Sequence, residues 1–136
     1  MGMPAVRIDV LDVWSEQQLS AIADAVQEAL VATLNVPQRD RFQVINSHAE
    51  SEFVFDRGYL EIPRSDRFVM VSVTLAAGRS SEAKQAFYAD LCERLVAAVD
   101  LRPEDLAVSL VENQRQDWSF GHGSASYLTI PRDRWR

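Results

Sequence analysis

The sequence predicts an α+β fold made of two consecutive β-α-β units, with a four-stranded sheet and two helices on one face. Residues 6–10 and 69–75 alternate apolar and polar side chains with the period of a half-buried strand. Each stretch is followed by an apolar pattern at helical spacing and then by another strand-like stretch. A shift of about 65 residues aligns the two halves and places Ser15 on Ser80. The chain is therefore predicted to contain one structural unit twice.

The first unit, at about residues 4–48, carries clear signals for a helix between two strands. Ser15 has the character of an N-cap, and Gln18 three residues later completes a capping box. Apolar residues then recur on one helical stripe, at Leu19, Ile22, Val26, Leu30 and Leu34. Pro37 ends the helix, because proline cannot continue its hydrogen bonds. The pattern predicts a helix at 16–34 and a strand at 41–48.

The second unit, at about residues 67–112, repeats this order. Ser80 is predicted to cap its helix, which carries an apolar stripe at Phe87, Leu91, Leu95 and Val99. A fourth strand is expected at 106–110. Between the units, residues 49–66 show no sustained period, and a loop of this length is usually functional or an arm to a neighbour.

Length and composition predict a single domain at residues 1–136. The protein is acidic and is expected to be cytoplasmic. The chain is 47% hydrophobic with a net charge of −6, which argues against nucleic acid or an anionic membrane as a partner. Cys92 is the only cysteine, so no internal disulfide can form, which suits a reducing compartment. No signal peptide and no apolar run of membrane-spanning length is recognisable.

The predicted placement of the helices favours an oligomer. Right-handed crossovers would place both helices on one face of the sheet, leaving the other face to be covered by another subunit. The alternative is a monomer with a solvated sheet face. An aromatic tail at 113–136 is expected to wrap its own sheet edge or a neighbour's. Gly121 and Gly123 in this tail predict a short hairpin or a bulge.

Pro4 opens the first predicted strand and follows Met3 directly. If Met1-Gly2-Met3 is removed, the nitrogen of Pro4 becomes a secondary amine, and α-amino groups titrate at about 7.7–8.0. Burial among apolar groups would lower that pKa, so the amine could exchange a proton near neutral pH. If the leading residues persist, the nitrogen is acylated and Pro4 only begins a strand.

Short motifs accompany the repeat, namely Val36-Pro37, Asp40-Arg41-Phe42-Gln43, Arg79-Ser80, Val111-Glu112-Asn113 and Asp117-Trp118-Ser119-Phe120-Gly121. With a proline opening the first strand, they resemble the tautomerase superfamily, most closely its malonate semialdehyde decarboxylase branch. The resemblance implies a homotrimer, catalysis by an N-terminal proline and no cofactor. It also implies that Pro4, Asp40 and Arg79 occupy catalytic positions. One subgroup of these decarboxylases has a second arginine where this chain has Ala77.

The chemistry of these residue types is consistent with that implication. Arg79, at the end of the third strand, could bind a substrate carboxylate through two parallel hydrogen bonds, unless it is a solvent-exposed loop residue. Asp40 lies between Arg39 and Arg41, which are expected to keep it ionised, and it could orient water or substrate. Asp40 could instead be a turn residue, like its repeat counterpart Asp105.

Three tail residues, Trp118, Phe120 and His122, are candidate substrate-binding residues. The two aromatic rings could form an apolar wall, although aromatic residues more often belong to the core. His48 and His122, with no clustered carboxylate or cysteine, do not suggest a metal site.

The sequence thus predicts cofactor-independent decarboxylation of a small 3-oxo acid such as malonate semialdehyde. Tautomerisation, hydration or dehalogenation of small enol or unsaturated carboxylic acids is the alternative, because these reactions would use the same amine and guanidinium. A non-catalytic trimeric scaffold with a blocked Pro4 is the second alternative.

Overall fold

The computed structural model describes residues 4–135, so the predicted removal of Met1-Gly2-Met3 lies outside the described residues. The main elements are β1 (Ala5–Leu11), α1 (Glu16–Leu34), β2 (Phe42–His48), β3 (Val69–Ala76), α2 (Ser81–Val99) and β4 (Leu106–Asn113). The predicted α+β class and the two β-α-β units are confirmed. Within residues 4–135, no helix combines the length and the apolar character needed to cross a membrane.

The four strands form one mixed sheet in the order β2-β1-β3-β4. The pairs β1/β2 and β3/β4 are parallel, whereas β1 and β3 are antiparallel. The sheet edge where β1 and β2 begin is therefore the edge where β3 and β4 end. We call this end of the strands the Pro4 edge, and the other end of the strands the opposite edge.

Both helices begin and end in the same way, 65 positions apart. The hydroxyl of Ser15 accepts a hydrogen bond from the backbone of Gln18 at 3.1 Å, and Ser80 does the same for the third residue of α2. Asn35 and Asp100 end the helices in the left-handed region, at φ 55° and 53°. The apolar stripes of both helices pack on one face of the sheet and form a single core with Val6, Ile8, Val10, Val69, Val71, Val73 and Leu75.

The segment between β2 and β3 and the tail after β4 lie at opposite ends of the strands. Residues 49–68 lie at the opposite edge, where the rings of Phe53 and Phe55 pack on Phe68 at centroid distances of 5.9 and 4.5 Å. The tail folds into short helical turns at Arg115–Asp117, Ser126–Thr129 (α3) and Arg132–Arg134. The hairpin or bulge predicted for the tail is wrong, because no strand follows β4 within residues 4–135. The tail instead turns at His122 and Gly123, which have left-handed φ of 59° and 65°, and continues into α3.

The sheet face that the helices leave uncovered carries exposed apolar side chains. Phe42 is 52% exposed, Val44 60% and Val111 58%. The register places Phe42 and Val44 beside Ala5 and Arg7 on this face, whereas Val6 and Ile8 point into the core. Large exposed apolar residues on a strand are typical of a surface that another polypeptide covers.

Candidate active site

Pro4, Asp40 and Arg79 all belong to the Pro4 edge. Pro4 is buried and directly precedes β1, whose first residue pairs with Phe42 of β2 on one side and with Thr74 of β3 on the other. Asp40 lies two residues before β2, and Arg79 lies three residues after β3. The antiparallel β1/β3 pairing therefore brings to one edge three residues that are far apart in sequence.

Asp40 is buried without a partner for one carboxylate oxygen. Its residue is 8% exposed, and its Oδ1 accepts no hydrogen bond among residues 4–135. Burial raises the pKa of Asp40 to about 6, and the positive charge of Arg79 opposes this rise without cancelling it. The expected support from Arg41 is not found, because this guanidinium donates to Asp24 at 2.8 Å and to Gln43 at 2.9 Å.

Arg79 is half-buried, so the alternative of a solvent-exposed loop arginine is wrong. Its Nε and Nη2 donate to the carbonyl oxygen of Leu34, the last residue of α1, at 3.2 and 3.1 Å. Its Nη1 donates to the carbonyl oxygen of Ala76 at 2.7 Å. Burial lowers the pKa of Arg79, while nearby anionic groups, Asp40 among them, act in the other direction. The guanidinium is thus fixed by the backbone beside a buried carboxyl group.

The aromatic tail residues lie against the start of β2. The ring of Trp118 stacks on that of Phe120 at 5.3 Å, and Phe120 contacts Phe42 at 5.6 Å. The indole nitrogen of Trp118 donates to Oδ1 of Asn113 at 2.6 Å, which anchors the tail to the end of β4. His122 is exposed, and among residues 4–135 its side chain makes no hydrogen bond or ring contact.

Tyr127 is a site residue that the sequence analysis missed as a functional candidate. Its ring contacts Phe120 at 5.7 Å and Trp135 at 4.7 Å, and its buried hydroxyl has no hydrogen-bond partner within the described part of the chain. Burial, and next the charge of Asp40, raise the pKa of the Tyr127 phenol, whereas Arg79 opposes the rise. The phenol therefore lies within electrostatic reach of both groups. In the sequence it was one aromatic residue of the tail, without a motif to mark it.

The opposite edge shows how the chain treats the carboxyl group at the repeat-equivalent position of Asp40. Asp105 is fully buried, and its two carboxylate oxygens accept hydrogen bonds from the backbone N–H and the hydroxyl of Ser65 at 2.7 and 2.6 Å. Arg67 donates to the carbonyl oxygen of Val99, the last residue of α2, at 2.7 Å. There the acid is satisfied by the chain itself, whereas at the Pro4 edge the oxygen of Asp40 is not. Buried polar atoms without partners are rare and are often found where a ligand binds.

The Pro4 edge therefore combines three chemical capabilities. A buried carboxyl group with a pKa of about 6 can exchange a proton or orient a water near neutral pH. A guanidinium fixed by backbone carbonyls can bind a carboxylate without first being ordered. Aromatic rings nearby reduce the local polarity. No cluster of three or more His, Cys, Asp or Glu side chains that could hold a metal occurs in residues 4–135.

Comparisons with known proteins agree with this arrangement. Two sequence models described as tautomerase enzyme match the chain, one at residues 40–121 and one at residues 4–58. The chain belongs to the tautomerase superfamily.

Two relatives from Bacillus subtilis (strain 168), the probable tautomerases YusQ and YrdN, are 35% and 37% identical to it. Each alignment covers 93% of this chain, and 99% of YusQ and 98% of YrdN.

Solved structures of malonate semialdehyde decarboxylase are similar over the whole fold. One, which addresses decarboxylase and hydratase activities, is 34% identical, with a TM-score of 0.86 over 92% of this chain and 96% of its own. A second, the FG41 malonate semialdehyde decarboxylase inhibited by 3-bromopropiolate, is 40% identical, with a TM-score of 0.86 over 92% and 95%. A fused 4-OT symmetric trimer shares the fold at 19% identity and a TM-score of 0.74, over 92% of this chain and 98% of its own.

Proposed function

We propose that this protein catalyses cofactor-independent decarboxylation of a small 3-oxo acid such as malonate semialdehyde, with Pro4 as its N-terminal residue. The observation that carries the proposal is the buried carboxyl group of Asp40, whose Oδ1 accepts no hydrogen bond among residues 4–135 and which feels the charge of Arg79, at the edge where the buried Pro4 precedes β1. The similarity to two malonate semialdehyde decarboxylases supports the choice of reaction. The proposal requires removal of residues 1–3, because only a free amine can carry a proton.

In this mechanism Arg79 binds the substrate carboxylate and holds it out of the plane of the carbonyl group. The protonated amine of Pro4 donates a hydrogen bond to the carbonyl oxygen and stabilises the charge that develops there. The bond between the carboxyl carbon and C2 breaks, its electron pair forms the enolate, and carbon dioxide leaves. The protonated amine of Pro4 then transfers its proton to C2 of the enolate, which gives acetaldehyde, and the neutral amine takes a new proton from solvent. Asp40 orients the substrate or a water molecule.

Hydration or tautomerisation of a small unsaturated or enol carboxylic acid is the second candidate. The pKa of about 6 for Asp40 favours it, since such a carboxyl group can accept a proton from water near neutral pH. One similar decarboxylase is itself described with a hydratase activity, and the Bacillus relatives are described as probable tautomerases. Binding by Arg79 would be common to all these reactions.

We further propose that the chain assembles as a homotrimer through its uncovered sheet face. Exposed Phe42, Val44 and Val111 on that face support an interface, and trimers occur among proteins with this fold. Light scattering coupled to size exclusion should give three times the chain mass of 15.3 kDa. A monomeric mass at micromolar concentration would contradict the assembly.

The function is tested with a chain that begins at Pro4, verified by intact mass. We expect it to form acetaldehyde from malonate semialdehyde, and to lose this activity in Arg79→Ala. Arg67→Ala is the matched control, because both arginines donate to the last carbonyl of a helix but Arg67 lies at the opposite edge. We also expect 3-bromopropiolate to modify the amine of Pro4 covalently with loss of bromide, seen as a mass increase of the N-terminal peptide. A verified chain that is inactive on small oxo and unsaturated acids would support the non-catalytic scaffold instead.

A further inference from the structure

A cavity adjoins the candidate active site at the ends of β3 and β4. It has a volume of about 330 Å³, and its floor is formed by the small side chains of Ala76 and Ala77. Ala76 links it to the site, because its carbonyl oxygen accepts the 2.7 Å hydrogen bond from Arg79. A cavity of this volume can hold a ligand larger than a three-carbon acid.

Polar groups from the tail line the outer wall of this cavity. Arg115 contributes the one charged side chain of the wall, flanked by the amide side chains of Gln114 and Gln116. The guanidinium carbon of Arg115 lies 5.3 Å from the ring centroid of Trp135. Contact with an aromatic face restricts the positions that a guanidinium can take.

Tyr127 contacts both Phe120, one of the aromatic residues of the candidate site, and Trp135, the ring that Arg115 lies over. Its ring contacts the same Trp135 at 4.7 Å, and the residue after it, Leu128, lines the cavity. Ala76, whose carbonyl oxygen accepts the hydrogen bond from Arg79, lines the same cavity as Arg115. A ligand in this cavity with one end at Arg115 can thus extend its other end towards the Arg79 guanidinium at Ala76.

We propose that the cavity is a second carboxylate subsite, with Arg115 as its anion-binding residue, and that the preferred substrates are 3-oxo dicarboxylates. The carboxylate bound by Arg79 leaves as carbon dioxide, and its bonding electron pair forms the enolate, which takes a proton at the adjacent carbon. The second carboxylate stays at Arg115 and remains in the product. The decarboxylation step of this inference rests on the proposed function, whereas binding of the second carboxylate at Arg115 does not.

The test compares 3-oxopentanedioate with 3-oxopentanoate, which has the same chain length but a methyl group in place of the second carboxylate. Spontaneous decarboxylation is subtracted from each rate. We expect the chain beginning at Pro4 to prefer the diacid in kcat/KM, and Arg115→Gln to reduce this preference by about tenfold or more, as for loss of a charge-assisted hydrogen bond. Arg115→Lys should retain part of it.

Arg132→Gln is the matched control, because Arg132 also lies over the ring of Trp135, at 5.6 Å, but does not line the cavity. Its diacid preference should equal that of the unmodified chain, and thermal melts would identify variants that fail to fold. A wild-type chain with no diacid preference, or an equal loss of preference in both variants, would overturn the subsite.

A binding measurement separates failure of the subsite from failure of the proposed function. Glutarate and pentanoate are unreactive analogues of the two substrates, and calorimetry gives their affinities. If neither oxo acid reacts but glutarate binds more tightly than pentanoate in an Arg115-dependent manner, the subsite stands and the decarboxylase proposal falls. If glutarate has no advantage, the subsite is refuted whatever the activity.

Discussion

Replacing Asp40 by asparagine should stabilise the protein at pH 8. Burial raises the pKa of this carboxyl group from 3.8 to about 6, which corresponds to about 3 kcal/mol of unfavourable free energy for carrying the charge into the fold. Asparagine removes the charge, although its amide hydrogens also need partners, so the net gain should be about 1–2 kcal/mol. As the pH falls through about 6 the folded-state carboxyl group takes up its proton, so the gain should be much smaller at pH 4, and it should vanish below about pH 3, where the group is neutral in both states.

Asp105→Asn is the matched control at the equivalent position of the second unit. Here both carboxylate oxygens accept hydrogen bonds from Ser65, so the substitution should destabilise the fold by about 1–3 kcal/mol. Guanidinium chloride unfolding of the three proteins at pH 8 and pH 4 measures these differences. An Asp40→Asn protein that is less stable than wild type at pH 8, or a gain that is the same at pH 4, would refute the assignment of an uncompensated buried carboxylate.

Three further predictions follow from the same geometry. Arg79→Ala and Arg67→Ala should each lower the unfolding free energy by about 1–3 kcal/mol, since each loses bonds to a helix carbonyl, but only the first should abolish turnover in a steady-state assay. Tyr127→Phe should keep or raise the free energy of unfolding, because it removes a buried hydroxyl without a hydrogen-bond partner among residues 4–135. A decrease in that free energy of more than about 2 kcal/mol would show that the hydroxyl is hydrogen-bonded after all. If the ionised form of Asp40 is required, activity should fall as the pH drops through about 6, and the kcat/KM profile of Asp40→Asn should lack this step.

The helices and strands could be predicted because their signals are local. The serine caps, the apolar stripes and Pro37 each act within a few residues, and the structure places α1 at the predicted residues 16–34. The repeat also predicted the sheet, because each unit supplies two parallel strands separated by a helix. Pro4, Asp40 and Arg79 lie at the same edge because β1 and β3 pair antiparallel. Local sequence pattern does not specify this pairing, and only the family resemblance implied that the three residues meet.

The tail and the electrostatics of the site could not be predicted from pattern. The turn at His122 depends on a left-handed backbone at a residue other than glycine, and the position of Tyr127 depends on ring contacts with Phe120 and Trp135. The charges of Arg39 and Arg41 along the sequence suggested an ionised Asp40. In the fold, Arg41 pairs with Asp24, and burial instead determines the direction of the pKa change.

The most direct test of the account is the rate of acetaldehyde formation from malonate semialdehyde by two chains that differ only at the N-terminus. One begins at Pro4 and the other retains Met3, with both masses verified. The account predicts turnover only by the chain whose proline nitrogen is an amine, since an acylated nitrogen cannot carry the proton. Equal rates from the two chains would contradict a catalytic role for Pro4 and the mechanism built on it.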